Sequence, residues 1–456
     1  MMINKNEKGQ AALVFIFGMI AFLGFAGLAI DGGRLYSEHR SIQALADNVA
    51  LTAAMVISQH DETITEAIKN QAKAAADARA LENGFLVPVS KCISDSTYCV
   101  EIYPHTLAAE GTGQFGRYYI VDVYIRKTIP AHLIQMVWDG DLDTIGKAQV
   151  KVTARSNAGF GQAMVSLKKG NSDCQDNSMK FSGSGTTTIN GSIYNMTNCP
   201  DGTLVNNVSA QGIINGTTTM VGGYQAPVGS EFNPGTLVSG ANETVLPNIP
   251  TPDCSALPID PPITKESDAK GVYNVFWPGV YTKGIHISWG GGRQKFKSGL
   301  YCLGADFKVT NGQVTNYTAT EGATFYLYNG SVSLSSSNFI NLHAPQHGEV
   351  VDPSGNNWDG MLFYIDEDNN GVFDVTGNAD TTLEGTVYAP GPPPGNTAKC
   401  QITGSGSLKN PDDTTSGNYD LQLLCYTIEI TGSADVTITY DGDKAYKPPT
   451  TLDLYK

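Results

Sequence analysis

The run Asp366-Glu367-Asp368-Asn369-Asn370-Gly371-Val372-Phe373-Asp374 sets side-chain oxygens at alternate positions ahead of a glycine. That D-x-D-x-N-G opening begins a calcium loop, where hard oxygen donors wrap a cation and glycine allows the sharp turn. Asp366, Asp368, Asn370 and Asp374 are the candidate ligands, and calcium is the candidate cofactor. Position twelve, which would supply a bidentate Glu, is Gly377, and no helical pattern flanks the loop, so it is not an EF-hand. The competing reading is a solvated β-turn, which Asn-Asn-Gly favours unaided. His343 and His347 stand four apart, as ligands on a helix would, yet Pro345 between them indicates a loop. Trp277, Tyr281, Trp289, Tyr301 and Tyr326 could stack on sugar rings, but alternating aromatics also build cores. No G-x-S-x-G, phosphate-cradling glycine loop or H-E-x-x-H occurs, and the expectation is a protein that is not an enzyme.

Eight cysteines are scattered at wide spacings with no C-x-x-C pair, which argues for disulfides outside the cytoplasm rather than zinc or thiol redox chemistry. Pairing between neighbours gives Cys92–Cys99, Cys174–Cys199, Cys254–Cys302 and Cys400–Cys425. The second and fourth pairs would cap the two ends of a repeat stack, and the third would tie down a proline-rich excursion.

These residues need elements to hold them. The chain of 456 residues is long enough for two or three domains, and its net charge of −15 argues against a nucleic-acid partner, which requires a basic face. Ala11 to Ile30 is an uncharged run of twenty residues, the length that crosses a hydrocarbon core. Lys5 and Lys8 precede it, so the amino terminus stays in the cytoplasm and the rest lies outside. A cleavable signal peptide is the competing reading, with Gly27-Leu28-Ala29 as its small-x-small site. Against cleavage, Leu35, Ile42, Leu45, Val49 and Val56 continue beyond the span at helical spacing.

G-Q-A-A at Gly9–Ala12, G-L-A-I-D at Gly27–Asp31, G-R-L-Y at Gly33–Tyr36 and Q-A-L-A-D-N-V-A-L-T-A-A at Gln43–Ala54 resemble the TadE/TadG-like family of Flp (tight adherence) pilus assembly. The resemblance implies a pilin-like helix, half in the bilayer and half packed on an extracellular head. It extends to a strand at 119–125, a proline-led turn at 129–133 and a closing strand at 148–154. The chain departs from prepilin processing after Gly9, which calls for Glu where Val14 stands. It also lacks the D-x-S-x-S metal motif of some members.

After Ala158, repeats appear. Thr376-Gly377-Asn378-Ala379-Asp380-Thr381-Thr382-Leu383 matches Thr431-Gly432-Ser433-Ala434-Asp435-Val436-Thr437-Ile438 and Ser182-Gly183-Ser184-Gly185-Thr186-Thr187-Thr188-Ile189. Phe276, Gly279, Tyr281, Gly284 and Ile287 recur near a twenty-residue period as Phe296, Gly299, Tyr301, Gly304 and Phe307. That period suits one coil of a right-handed parallel β-helix, with a β-sandwich as the alternative. Pro227–Pro262 reads as an excursion from the coils.

The expected organisation is a cytoplasmic tail over 1–10, a transmembrane helix over 11–30, a pilin-like α+β part (helix and small β-sheet) over 31–158, and an all-β, β-helical domain over 159–456. The expected function is that of a single-pass membrane protein of the pilus machinery. Its partners would be the membrane, other Tad components or pilins, and a surface glycan met through adhesion. The alternative is a cell-surface carbohydrate-binding or polysaccharide-cleaving β-helix protein.

Overall fold

From Glu7 to Ser58 no proline interrupts the chain, and a single helix of 52 residues, α1, runs through Gly32-Gly33 without a break. The structure, a computed structural model, describes residues 7–60, 64–85, 97–106, 117–130, 141–153, 158–169, 178–200, 203–205, 211–226, 228–241, 246–288, 292–335, 339–377, 381–391, 398–404, 418–432, 435–450 and 452–455. The chain divides into two units, the first formed by residues 1–155 and 450–456, the second by 156–449.

In the first unit, Thr65 caps a second helix, α2 (Glu66–Glu82), by accepting a hydrogen bond from the Ile68 N–H. Its buried residues Ala72, Ala76 and Ala80 recur every four positions, a stripe of small side chains that lets another element approach closely. Three long strands, β1 (Tyr98–Thr106), β2 (Arg117–Ile129) and β3 (Leu142–Thr153), form an antiparallel meander. A fourth strand, Leu452–Tyr455, joins the β3 edge, pairing Val150 with Leu454. Alternation sends Val121, Val123, Ile125, Val150 and Val152 to one face. There they share a core with Ile42, Ala46, Val49, Ala50, Ala53 and Ile57 of α1.

The second unit is built almost wholly of parallel strands. One nine-stranded sheet fixes the order of the layers. It runs Ile285–Ile287, Phe307–Val309, Val332–Leu334, Phe373–Gly377, Lys399–Gly404, Thr427–Gly432, Met179–Phe181, Thr203–Val205, Tyr224–Gln225. The order jumps once, from the end of the domain to its beginning. The chain therefore enters mid-stack at Met164–Ser166, winds to one end at Thr236–Ser239, and resumes at the other end with Thr264–Asp268. It then winds back until Leu423–Cys425 pairs with Met164–Ser166. Entry and exit meet where the Ala158 N–H donates to the Tyr446 carbonyl at 2.9 Å.

Stacking in register puts like on like. Phe276 lies opposite Phe296, with ring centroids 4.8 Å apart. Tyr281, Tyr301, Phe325 and Phe363 form an inward ladder at 6.0, 5.1 and 5.3 Å. Each layer alone would leave these rings wet, so the core exists only through stacking. The threonine–glycine repeats are a corner: Thr376, Thr403 and Thr431 align, as do Gly377, Gly404 and Gly432. Gly432 and Gly183 take φ of 136° and 111°, values that favour glycine. A Cβ on either would overlap the carbonyl oxygen of the glycine beneath, Gly404 and Gly432 respectively. Across the jump in layer order, Glu429 accepts from both Lys180 and Lys399 at 2.8 Å.

The proline-rich excursion is pinned along the stack it bypasses. The Asp253 N–H donates to Asp352 at 3.1 Å, Cys254 is bonded to Cys302, and the Asp260 N–H donates to the Val280 carbonyl at 2.7 Å. Three features differ from the sequence expectation, the first being that the excursion starts later than Pro227, because Glu231–Asn233 and Thr236–Ser239 pair into the stack. Leu452–Tyr455, assigned there to the β domain, closes the sheet of the first unit. The Cys400–Cys425 bond joins two inner layers rather than capping an end, because the chain enters the stack in its middle.

Candidate membrane-spanning helix and assembly surface

The two halves of α1 have different surroundings. From Leu13 to Ile30 every large apolar side chain is more than half exposed, among them Phe15, Phe17, Phe22 and Phe25 on all sides of the helix. A helix apolar all round with no protein cover is suited to hydrocarbon rather than water. The described part, Leu13–Ser58, is long and apolar enough to cross a membrane near the amino terminus. Beyond Arg34 the apolar residues narrow to one stripe, from Ile42 through Ile57, and that stripe is buried.

Polar contacts fix the register of the second half on its sheet. Glu38 and Lys127 pair at 2.7 Å, an interaction that holds the Glu38 carboxyl below its ordinary range. His39 Nδ1 meets the Thr144 hydroxyl at 3.2 Å. The Gln43 amide clasps the backbone of Lys147, donating to its carbonyl at 2.6 Å and accepting from its N–H at 3.2 Å. Gly146 permits this approach, since a Cβ there would lie 2.6 Å from the Ile42 carbonyl oxygen. The clamp was missed in the sequence, where nothing marks Gln43 as facing a strand some hundred residues away. Beside it, Gly32, Leu35, Tyr36, Asp143 and Ile145 line an open groove of about 420 Å³.

The geometry gives the calcium candidates other partners. Among the described residues no three His, Cys, Asp or Glu side chains are grouped to hold a metal. Asp366 accepts from the Tyr326 hydroxyl at 2.6 Å and from the Asp368 N–H at 2.9 Å. Asp374 sits on the strand Phe373–Gly377, facing away from the core between buried Phe373 and Val375. Strand geometry thus carries it off the turn, and burial raises its carboxyl pKa. Asn370 is exposed, and its neighbour Asn369 organises the loop. The buried Asn369 amide donates to the carbonyls of Leu327 and Gly330 and accepts from the Gly371 N–H. The loop is a corner of the stack, held by side-chain amide bonds.

His343 ends a strand and His347 occupies a turn with φ of 58°. Tyr281 and Tyr301 belong to the core ladder, Tyr326 is buried, Trp277 is 40% exposed, and Trp289 lies outside the described residues. Cys254–Cys302 and Cys400–Cys425 are bonded with Cα separations of 6.3 and 6.0 Å. Cys99 and Cys199 are also disulfide-bonded, while Cys92 and Cys174 fall outside the described residues.

No curated protein and no solved structure matches the chain. One family model does, described as putative Flp pilus-assembly TadE/G-like, over residues 9–56. Those limits coincide with α1, from its exposed apolar half to the last turn of the packed half. Residues 9–56 thus match a TadE/G-like Flp pilus-assembly model, in a chain that also carries a large all-β region of parallel sheets.

Proposed function

We propose that this protein is a non-enzymatic, membrane-anchored component of a Flp-type pilus, acting in assembly or as a minor-pilin-like subunit. The observation that carries the reading is the division of α1. A pilus-assembly match covers one continuous helix whose first half is apolar on every side and whose second half is clamped to a sheet. The amino terminus lies in the cytoplasm, and the remainder, with its disulfides, lies outside. The second unit is a right-handed β-helix projecting outward, a stiff element for contact with other pilins or with a surface. The groove beside Leu35 and Tyr36 lies a turn beyond the apolar half, where a neighbouring pilin helix would pass.

Deletion of the gene, scored for pili by electron microscopy and for adhesion, tests the reading. Loss of pili, restored by the full chain but not by one starting at Asp31, is the expected result. Normal piliation in the deletion strain would refute it. Amino-terminal sequencing of the mature chain adds an independent check, since a start at Ile30 would mean a cleaved leader and no anchor.

A further inference from the structure

In a chain of net charge −15, one face of the second unit concentrates four cations, Lys270, Arg293, Lys295 and Lys297, beside the carboxylates Glu266 and Asp268. The strand Arg293–Phe296 generates it: alternation buries Gln294 and Phe296 and turns Arg293 and Lys295 outward, and Lys297 follows at the same period. Register sets Tyr273, Arg293 and Gln313 in one cross-strand row, and Val275, Lys295 and Thr315 in the next.

Aromatic rings hold these cations in place. Arg293 lies over Tyr273 at 5.3 Å and Lys295 at 4.2 Å, while Lys297 lies over Tyr317 and, at 5.6 Å, over Trp277. A ring orders a cation without neutralising it, so the charge of Lys297 remains available, while Arg293 and Lys295 share the single carboxylate of Asp268, the latter at 3.6 Å, and keep a net positive charge between them. The Glu266 carboxylate braces the rings, accepting from the Tyr273 and Tyr317 hydroxyls at 3.1 and 2.7 Å. Asp268 orients the Arg293 guanidinium through two bonds of 2.6 and 2.7 Å. Beside the row is a cavity of about 410 Å³ lined by Lys270, Arg293, Lys295, Gln313, Thr315 and Phe339.

We propose that this face binds a linear acidic polysaccharide. Its anionic groups would sit against Lys270, Lys295 and Lys297, its hydroxyls against Gln313 and Thr315, and a sugar ring against the exposed face of Trp277. The mixture favours a saccharide over the other polyanions. An acidic peptide has no use for the exposed indole, and neutral Gln313 and Thr315 beside the cations offer hydrogen bonds to hydroxyls rather than a run of rings for successive bases. The inference rests on the reading that the second unit is displayed outside the cell, where such polymers occur.

The test uses the full chain in detergent micelles and biolayer interferometry. The probes are a galacturonate decamer and a heparin decasaccharide, which separate carboxylate from sulfate recognition. Maltodecaose, decaglutamate and a ten-nucleotide single strand serve as the comparisons. Binding of either acidic sugar should weaken with salt and fall at least about tenfold in Lys270→Glu/Lys297→Glu. Trp277→Ala, with charge unchanged, should also lower it severalfold. Unchanged melting temperatures would show that both variants are folded. Failure to bind either acidic sugar, or variant binding equal to wild type, overturns the proposal. So does maltodecaose, decaglutamate or the oligonucleotide binding as tightly as the acidic sugars. Cells carrying the charge-reversed chain should still make pili, so failure of this site and failure of the pilus reading are distinguishable.

Discussion

Gly183→Ala is the substitution that most directly probes the permuted order of layers. Gly183 takes φ of 111°, and a Cβ there would overlap the Gly432 carbonyl oxygen, a contact that exists only if residues 179–183 stack on residues 427–432. Gly240 supplies the internal control, with φ of 71° and open space for 4 Å around the position a Cβ would take. Alanine at Gly240 meets the backbone penalty alone, about 1–2 kcal/mol. Alanine at Gly183 adds the displacement of packed backbone, about 1–3 kcal/mol more, for a total of about 2–5 kcal/mol. The second unit holds about 290 residues, and an unfolding entropy of about 2 cal/mol/K per residue makes each kcal/mol worth about 1.6 °C. Thermal unfolding of the full chain in micelles, followed by circular dichroism, should therefore show a fall of about 3–8 °C for Gly183→Ala, larger than the fall of about 2–3 °C for Gly240→Ala. Equal losses at the two glycines would mean that nothing lies beneath Gly183, and the layer order would be wrong.

Replacing Cys254 and Cys302 together with Ser opens a link between residues 48 apart. Chain entropy puts its contribution near 4 kcal/mol, so melting should fall by about 6 °C, and protease should then cut first in the segment around Asp253. An unchanged melting temperature would show that the excursion is held without the bond. Asp374→Asn should stabilise the protein at pH 7. Burial raises the Asp374 pKa in the folded state, so folding favours the protonated form and the ionised carboxyl is a burden at neutral pH. The advantage of Asn should shrink as pH falls through the raised folded value toward the ordinary one near 3.8, measurable as converging melting temperatures. Destabilisation by Asn, or a melting temperature that rises with millimolar calcium and falls with chelator, would restore Asp374 as a ligand.

The sequence disclosed whatever depends on local period or composition. The uncharged run from Ala11 and the stripe through Ile42, Leu45 and Val49 predicted one uninterrupted helix, and α1 is that helix. The phenylalanine–tyrosine repeat predicted stacked layers, and Phe276 over Phe296 forms one such contact. Features set by distant pairing were hidden. No local signal marks Met164–Ser166 as a partner of Leu423–Cys425, and Leu452–Tyr455 reads as a tail until β3 is seen beside it. Thr403-Gly404 escaped the repeat scan because only register aligns it with Thr376-Gly377. The calcium candidates show a related effect. Oxygen spacing along the chain is met, but the strand that begins at Phe373 directs Asp374 elsewhere, while Asn369, which organises the corner, is the residue the motif skips.

Closure of the anchored sheet by Leu452–Tyr455 has a consequence for biosynthesis. β3 ends at Thr153, so nearly 300 residues must be made before its partner strand exists. At about 5–20 residues per second that is an interval of roughly 15–60 s. Until then the β3 edge presents unpaired amides and carbonyls, an invitation to wrong partners. A chain that terminates early, or whose second unit misfolds so that its end is not delivered, retains that open edge. Completion of one short strand thus reports that everything between the two halves of the sheet has been made and folded.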